Sequence, residues 1–480
     1  MTIDSIDITK AVQDIEKLLA LEKGLSPTMA SAIRVLLLVI KLLVDRVGLN
    51  SRNSSKPPAT DPNRTKEARQ NTGKARGGQQ GHPGSTLCPV DDPDEVRRIN
   101  IDKRRLPQGE YQEAGFEARQ VIDIHISRVV TENQAQILQN AQGQRFVAEF
   151  PPGITRPVQY GASVKAHAVY LSMFQLIPYE RIQAQFDEQL DIVLSTGSLV
   201  NFNREVYERL ALFEPLARQQ LAQSSLIHAD ETGINIDGIR HWLHNASNRR
   251  WTLFLPHEKR GAEAINAMGI LPGFRGILMH DHWKPYYLYA CAHALCNAHH
   301  LRELTRAFEQ DGQQWARQLH DFLLSLNEAV DRAGGALEKK EATAWRRKYR
   351  NHLKKADEEC PPPTSVDNPR RGRQARSKAR NLLERLRDYE DDVLRFMENP
   401  DVPFTNNQGE RDIRMTKVQQ KISGCFRSME GAQIFCRIRS YLSTCKKQGV
   451  GAGEALTCLF EGRWPTFIQN LLNDQGACAE

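Results

Sequence analysis

A chain of 480 residues has room for about three domains. With 40% hydrophobic and 26% charged residues, it has the composition of a globular protein with a large core, not a disordered or fibrous one. The formal net charge of +7 is modest, and its uneven distribution says more about partners than its total. Nine cysteines without the spacing of a secreted disulfide framework point to a reduced, cytoplasmic protein. The first ten residues lack a basic stretch followed by an apolar one, and the longest wholly apolar run, Val35 to Ile40, is far short of a membrane span. Neither a signal peptide nor a membrane partner is expected.

Residues 10–50 read as helix. Ile33, Leu37, Ile40, Val44 and Val47 share one face, which suits either packing within the domain or a dimerising coiled coil. From 51 to 84 the chain holds seven Lys or Arg (Lys56, Arg69, Lys74 and Arg76 among them) amid frequent glycine and proline. Such a segment reads as a flexible basic tether able to track DNA phosphates. Residues 95–150 alternate weakly, as in Val121 to Ile126, and predict a small β-containing module. Helical patterns then dominate to Leu226, with one helix expected from Ser198 past Phe213 towards Pro215.

Leu226 to Asp230 reads as a short strand ending on an acid. A hairpin turning at Asp237-Gly238, a strand from Trp251 to Leu255, a helix from Gly261 to Met268 and a strand from Gly276 to Asp281 follow. From Ala290 to Lys355 long charged helices are expected, then a Pro- and Arg-rich break, helix from Ser377 to Met397, and a largely helical end. The resulting fold class is α/β, multidomain and mostly helical. Its predicted parts are an N-terminal helical segment (1–50), a basic linker (51–90), the small module (91–155) and a helical region (156–225). A strand-containing core (226–300 and 401–480) follows, interrupted by a helical insertion (301–400).

Asp230 and Asp281 each close a predicted buried strand, and acids at neighbouring strand ends can share a cation. Glu410 stands at the start of a helix, where Asn407 and Glu410 also fit a capping box. Residues 411–447 carry nine Lys or Arg against two acids, and Arg411, Arg414, Lys417 and Lys421 suggest a phosphate-binding face. The cluster His280, His282, His293, Cys296, His299 and His300 offers a rival reading, a zinc-dependent hydrolase, although Cys296-x-x-His299 lacks a matching ligand pair.

Taken together, Ser51 to Pro58, Gly77 to Gly84, Ala229-Asp230-Glu231-Thr232-Gly233, His280-Asp281, Cys296-x-x-His299-x-x-Arg302, Asn406-Asn407-x-x-Glu410-Arg411 and Ser440 to Cys445 resemble the insertion sequence 66 family of transposases. The resemblance implies a ribonuclease H-like core in which Asp230, Asp281 and Glu410 are catalytic and bind two Mg²⁺ ions, with Mn²⁺ as a substitute. It implies Cys296 and His299 in structural support, DNA cleavage and strand transfer at element ends, and DNA as partner (terminal inverted repeats and target). It further implies a homo-oligomeric synaptic complex, accessory proteins of the same element, and a nucleoid-associated location in a bacterium. Relatives commonly carry paired CxxC elements before the core. Here no cysteine lies between Cys88 and Cys291, so that module is expected to bind no zinc and to hold together by packing. A DNA-binding protein that has lost catalysis is the other alternative.

Overall fold

The computed structural model describes residues 2–3, 6–22, 24–54, 61, 87–363 and 376–477. They fall into two units, one of residues 1–64 with 133–480 and the other of 65–132. Within the smaller unit, described from residue 87, the described side chains are exposed except Leu106, which is intermediate. Its regular structure is one short turn of helix, Lys103–Arg105. The alternating run Val121 to Ile126 forms no strand, for among the described residues no second segment pairs with its backbone, and Val121 and Ile124 are 91% and 82% exposed. The expectation of a module held by packing is therefore corrected: no described residue from 87 to 155 is buried.

In the larger unit, a small hairpin of β1 (Thr2–Ile3) and β2 (Ile6–Asp7) leads into α1 (Ile8–Leu21) and α2 (Pro27–Val47). The single helix expected over 10–50 is thus two. Ser26 caps α2 by accepting from Met29 N, and Pro27 restricts the residue before it to extended backbone, which separates the helices. Lys41 joins Glu16 across the pair at 2.6 Å. Leu37 is buried, whereas Leu36, Leu38, Leu42 and Leu43 are exposed. By length and composition α2 could cross a membrane, which the count of unbroken apolar residues missed because Arg34 and Lys41 interrupt it.

An exposed hairpin, β3 (Ile137–Gln139) and β4 (Arg145–Val147), precedes a helical layer. That layer comprises α3 (Ala162–Val169, continued by a wider turn through Phe174), α4 (Tyr179–Leu190), α5 (Thr196–Arg209) and α6 (Phe213–Ala222). The helix expected from 198 towards 215 breaks after Arg209. Pro215 instead sits in the first turn of α6, where its missing N–H leaves no helical bond unmade.

The central sheet contains β5 (Leu226–Ile236), β6 (Ile239–Ser247), β7 (Thr252–His257), β8 (Ile277–His280) and β9 (Ala292–Leu295), in the order β7-β6-β5-β8-β9. The first three form an antiparallel meander, with positive φ at Asp237 and Gly238 in the two-residue turn. After α7 (Ala262–Met268), β8 lies parallel to β5, and β9 parallel to β8. Strand β9 is a correction, since its four residues fall where the sequence suggested the start of a helix.

Helices α8 (Asn297–Glu309), α9 (Gln314–Arg332), α10 (Lys339–Glu359), α11 (Lys378–Asp388) and α12 (Glu390–Leu394) share a core around Leu323, Tyr349, Leu383 and Met397. The chain then returns to the sheet with α13 (Asn407–Ser423), α14 (Met429–Lys447), α15 (Ala452–Phe460) and α16 (Thr466–Ala477). Edge strand β7 would expose unpaired N–H groups, but α14 covers it. Ser440 Oγ accepts from Phe254 N (2.8 Å), and Thr444 Oγ1, one turn on, accepts from Thr252 N (3.1 Å). Ser440→Ala leaves the Phe254 N–H buried without a partner and should lower unfolding free energy by about 1–3 kcal/mol. Leu43→Ala on the exposed side of α2 should stay within about 0.5 kcal/mol. Denaturant midpoints at constant m-value measure both.

Candidate active site

In the parallel pair β5–β8, Leu226, Ile227 and His228 stand opposite Ile277, Leu278 and Met279. Asp230 and Asp281 each follow two residues after the last of these pairs. Shared register thus carries both acids to the same end of strands about 4.8 Å apart.

The third acid arrives on α13. Its first turn is fastened to β5 and β6 through side-chain amides. Asn406, buried at the N-cap, accepts from His228 Nδ1 through Oδ1 (2.8 Å) and donates from Nδ2 to the Ala229 carbonyl (2.9 Å). Asn245, the cross-strand partner of Asp230, donates to the Gly409 carbonyl (3.2 Å). A Cβ on Gly409 would stand 3.0 Å from Asn406 Oδ1, so this approach favours glycine. The capping box considered for Asn407 and Glu410 does not form: Asn406 is the N-cap, and its side chain bonds to β5 instead. Glu410 Oε1 is buried and has no hydrogen-bond partner.

Burial holds the Asp230 carboxyl well above the usual range, reinforced by Glu231, Asp281 and, more weakly, Glu410; only the Glu231 N–H opposes it (2.9 Å). Glu231 is also raised by burial and by Asp281, yet it is held by Arg260 (2.6 and 3.0 Å) and by the Tyr286 hydroxyl (2.8 Å). After burial, the charges that push the Tyr286 phenol upward are those of Glu231, Asp281 and Asp230, so all three acids act on one ring. Trp283 N donates to Asp281 Oδ1 (3.1 Å), and the intervening His282 adopts a positive φ of 74°. Crowded carboxylates, one bearing an unpartnered buried oxygen, have the chemistry to hold a hard divalent cation, whose charge would offset their repulsion, although Asp230, Asp281 and Glu410 are not a set with ligand atoms within 4.8 Å of one another.

Cys296 is the N-cap of α8, and its Sγ accepts from Asn406 N (3.1 Å). Burial pushes its thiol up to about 11. One turn on, burial and then Arg302 hold the His299 ring below the ordinary histidine range, against Asp281 and Glu410. Cys296, His299 and Glu410 offer ligand atoms within 4.8 Å of one another. The other histidines pair among themselves or with neighbours: His280 with His293 (3.1 Å), His300 with Asn297 (3.0 Å), His282 against the Tyr389 ring (4.4 Å between centroids). Burial lowers all four, His282 to about 3, so they are neutral packed rings, and among the described residues they make no metal grouping of their own.

The basic stretch divides. Arg411, Arg414, Lys417 and Lys421 are exposed on α13, although Lys417 Nζ also donates to the Gly233 carbonyl (2.6 Å). Arg437 pairs with Glu214, Lys447 with Asp412, and buried Arg439 donates to the carbonyls of Met173 and Phe174. Not all of the charge excess in 411–447 is therefore a surface for phosphates. Lys56, Arg69, Lys74 and Arg76 lie outside the described residues. Sequence reading assigned no role to Glu231, Arg260, Tyr286, Asn245 or Asn406. Glu231 adjoins Asp230 and could have been suspected; the others act across elements far apart in the chain.

A carboxyl whose proton affinity is raised by folding stabilises the fold while protonated, and that contribution is lost as pH rises through its folded value. Asp230→Asn should therefore raise the melting temperature of metal-free protein at pH 7, and the gain should vanish in acid, below the ordinary carboxylate range. A variant melting at or below the parent at pH 7 would contradict the crowding described here. Calorimetry across pH makes the comparison.

Residues 157–434 match the family described as Transposase IS66 family, and residues 4–87 match one described as Family of unknown function (DUF6444). A curated relative, "Uncharacterized protein y4jO" of Sinorhizobium fredii (strain NBRC 101917 / NGR234), is 36% identical over 69 residues, covering 14% of this chain and 22% of the relative. The matched segment thus spans about a fifth of that relative's length. The family match covers more than half of the chain, including the two aspartates, the Cys-x-x-His element and Glu410. The chain belongs to the IS66 family of transposases.

Proposed function

We propose that this transposase cuts and joins DNA at the ends of a mobile element through a ribonuclease H-like core, with Asp230, Asp281 and Glu410 as its acid triad. The single observation that supports the reading is that strand register carries Asp230 and Asp281 to the same end of β5 and β8, while the amides of Asn406 and Asn245 fasten the first turn of α13, which bears Glu410, against β5 and β6. A meander of three antiparallel strands followed by two parallel ones supports the assignment of the core. The helical block 301–400 is read as an insertion, because the chain leaves the sheet after the second acid and returns with the third.

The triad would hold two Mg²⁺ ions, with Mn²⁺ as a substitute. When bound, they supply charge neutralisation and activate the attacking and leaving oxygens at phosphorus. The chain itself contributes position. Asp281 is oriented by Trp283 N, Glu231 is kept out of the triad by Arg260 and Tyr286, and α13 presents Arg411, Arg414 and Lys421 beside Glu410. Water, and then a DNA 3′-hydroxyl, would be the successive attacking groups, as excision and strand transfer require. Exposed leucines on α2 suit the self-association of a synaptic complex, and nucleoid DNA in the cytoplasm is the proposed place of action.

Asp230→Asn should retain DNA binding and lose Mg²⁺- or Mn²⁺-dependent nicking of an element-end duplex; undiminished nicking by this variant would remove Asp230 from the chemistry. Binding without cleavage by the unaltered chain in either metal would favour the non-catalytic alternative. Replacing Arg414 and Lys421 together by alanine should flatten the log–log salt dependence of binding by about 1 per lost phosphate contact. An unchanged slope in a gel-shift titration takes both residues off the DNA path.

A further inference from the structure

Beside the acids, two helix starts bring together a second kind of ligand set. Cys296 caps α8, His299 follows three residues later on the same side of that helix, and Glu410 lies in the first turn of α13. The starts are tied by backbone: Asn297 N donates to the Phe404 carbonyl (3.1 Å), and Asn406 N to Cys296 Sγ (3.1 Å). Ligand atoms of the three residues lie within 4.8 Å of one another. Around a tetrahedral zinc ion with bonds of roughly 2.0–2.3 Å, ligand atoms stand about 3.3–3.7 Å apart. Side-chain torsions of the three residues need close the set by only about 1 Å to reach that spacing.

Two of these residues carry buried polar atoms without a hydrogen-bond partner, Glu410 Oε1 and His299 Nδ1. Of nine such atoms among the described residues, two fall in this one triad, where a bound group would satisfy them. Sulfur, imidazole and carboxylate together suit zinc, whereas magnesium takes oxygen ligands.

We propose that Cys296, His299 and Glu410 form a zinc site with an open fourth position, separate from the aspartate pair but sharing Glu410 with the triad. This departs from the expectation of a protein without zinc. The thiolate and carboxylate balance the ion's charge, against the opposing charge of Arg302, one turn beyond His299. One carboxylate cannot complete both sites at once, so zinc withdraws Glu410 from Asp230 and Asp281 and inhibits the magnesium-dependent reaction. That inhibition rests on the catalytic reading above; the binding itself does not.

The test uses the full chain freed of metal by a chelator and titrated with Co²⁺, then Zn²⁺. One equivalent of Co²⁺ should produce a thiolate-to-cobalt charge-transfer band, which Zn²⁺ removes. Cys296→Ser should abolish the band, and His299→Gln should weaken zinc affinity by more than about tenfold, the least that loss of an outer-shell partner typically costs. Metal-free melting curves verify that both variants fold. No band at one equivalent, or a band surviving in folded Cys296→Ser with full affinity in His299→Gln, overturns the site. In parallel, zinc is added to a Mg²⁺-dependent nicking assay of the unaltered chain and of His299→Gln. Inhibition of the first and resistance of the second, each relative to its own zinc-free rate, supports the shared Glu410. Zinc bound through Cys296 while cleavage proceeds unchanged overturns the sharing. Cys296-dependent binding in a chain that cleaves DNA in no metal upholds the zinc site and defeats the catalytic reading instead.

Discussion

Carboxylates brought together away from water raise one another's proton affinity, and the architecture around the central sheet imposes that crowding on Asp230. Four acids, Asp230, Glu231, Asp281 and Glu410, share the region, but they are not equivalent. Glu231, whose side chain is 2% exposed, has its charge met by Arg260 and Tyr286. Arg260 is itself fixed between the faces of Trp242 and Trp283, at 4.8 and 4.4 Å from their centroids. Asp230 has only a neighbouring backbone N–H, and one oxygen of Glu410 has no hydrogen-bond partner. Glu231 is thus the acid whose charge the chain itself meets, whereas Asp230 is left with a raised proton affinity that a bound cation would relieve.

Such repulsion would open a less constrained site. What resists it is a set of neutral contacts reaching across the chain. Asn406 bridges 178 positions to His228, and Asn245 reaches 164 positions to Gly409. Neither amide carries charge, so neither competes with a cation for the acids, yet together they fix the first turn of α13 against β5 and β6. On the far side of the meander, the hydroxyls of α14 do the same for β7. The acids thus sit on elements held by uncharged polar bonds, and burial keeps the one titratable partner, His228, below the ordinary histidine range, which lets the site vary in charge while the scaffold stays put.

Much of this was legible in the sequence where the physics is local. Apolar runs ending on Asp230 and Asp281, the Asp237-Gly238 turn and the meander all follow from period-two patterning and turn chemistry, and the sheet has them in that order. Contacts between distant elements were not legible. Asn406 sits inside a conspicuous Asn-Asn-x-x-Glu run, but whether it caps a helix or grips a strand depends on His228 and Ala229, which local spacing cannot reveal. Strand β9 was missed for a related reason, since Ala-His-Ala-Leu has no strong preference and becomes a strand only because β8 offers it an edge. Conversely, Val121 to Ile126 has the right alternation, but among the described residues no segment pairs with it. The family resemblance pointed to the Cys-x-x-His element, but nothing in its spacing announced that Glu410 would stand within reach of it.

The cations after Glu410 show how charge counting misleads when burial is ignored. Arg437, Arg439 and Lys447 hold α14 to its surroundings, pairing with acids or backbone carbonyls inside the fold. What remains outward on α13 is a row at positions 411, 414, 417 and 421. At 1.5 Å per residue, that row extends about 16 Å from Glu410 along the helix. Duplex DNA presents a phosphate charge about every 1.7 Å of its axis, so the row is long enough to engage several phosphates at once. On the proposed reading, those contacts would supply binding at a distance from the acids, while the triad engages only the phosphate that reacts. Such a division separates affinity from chemistry: charge removed from the far end of α13 alters how tightly DNA is held, whereas charge removed at its first turn alters what happens to it.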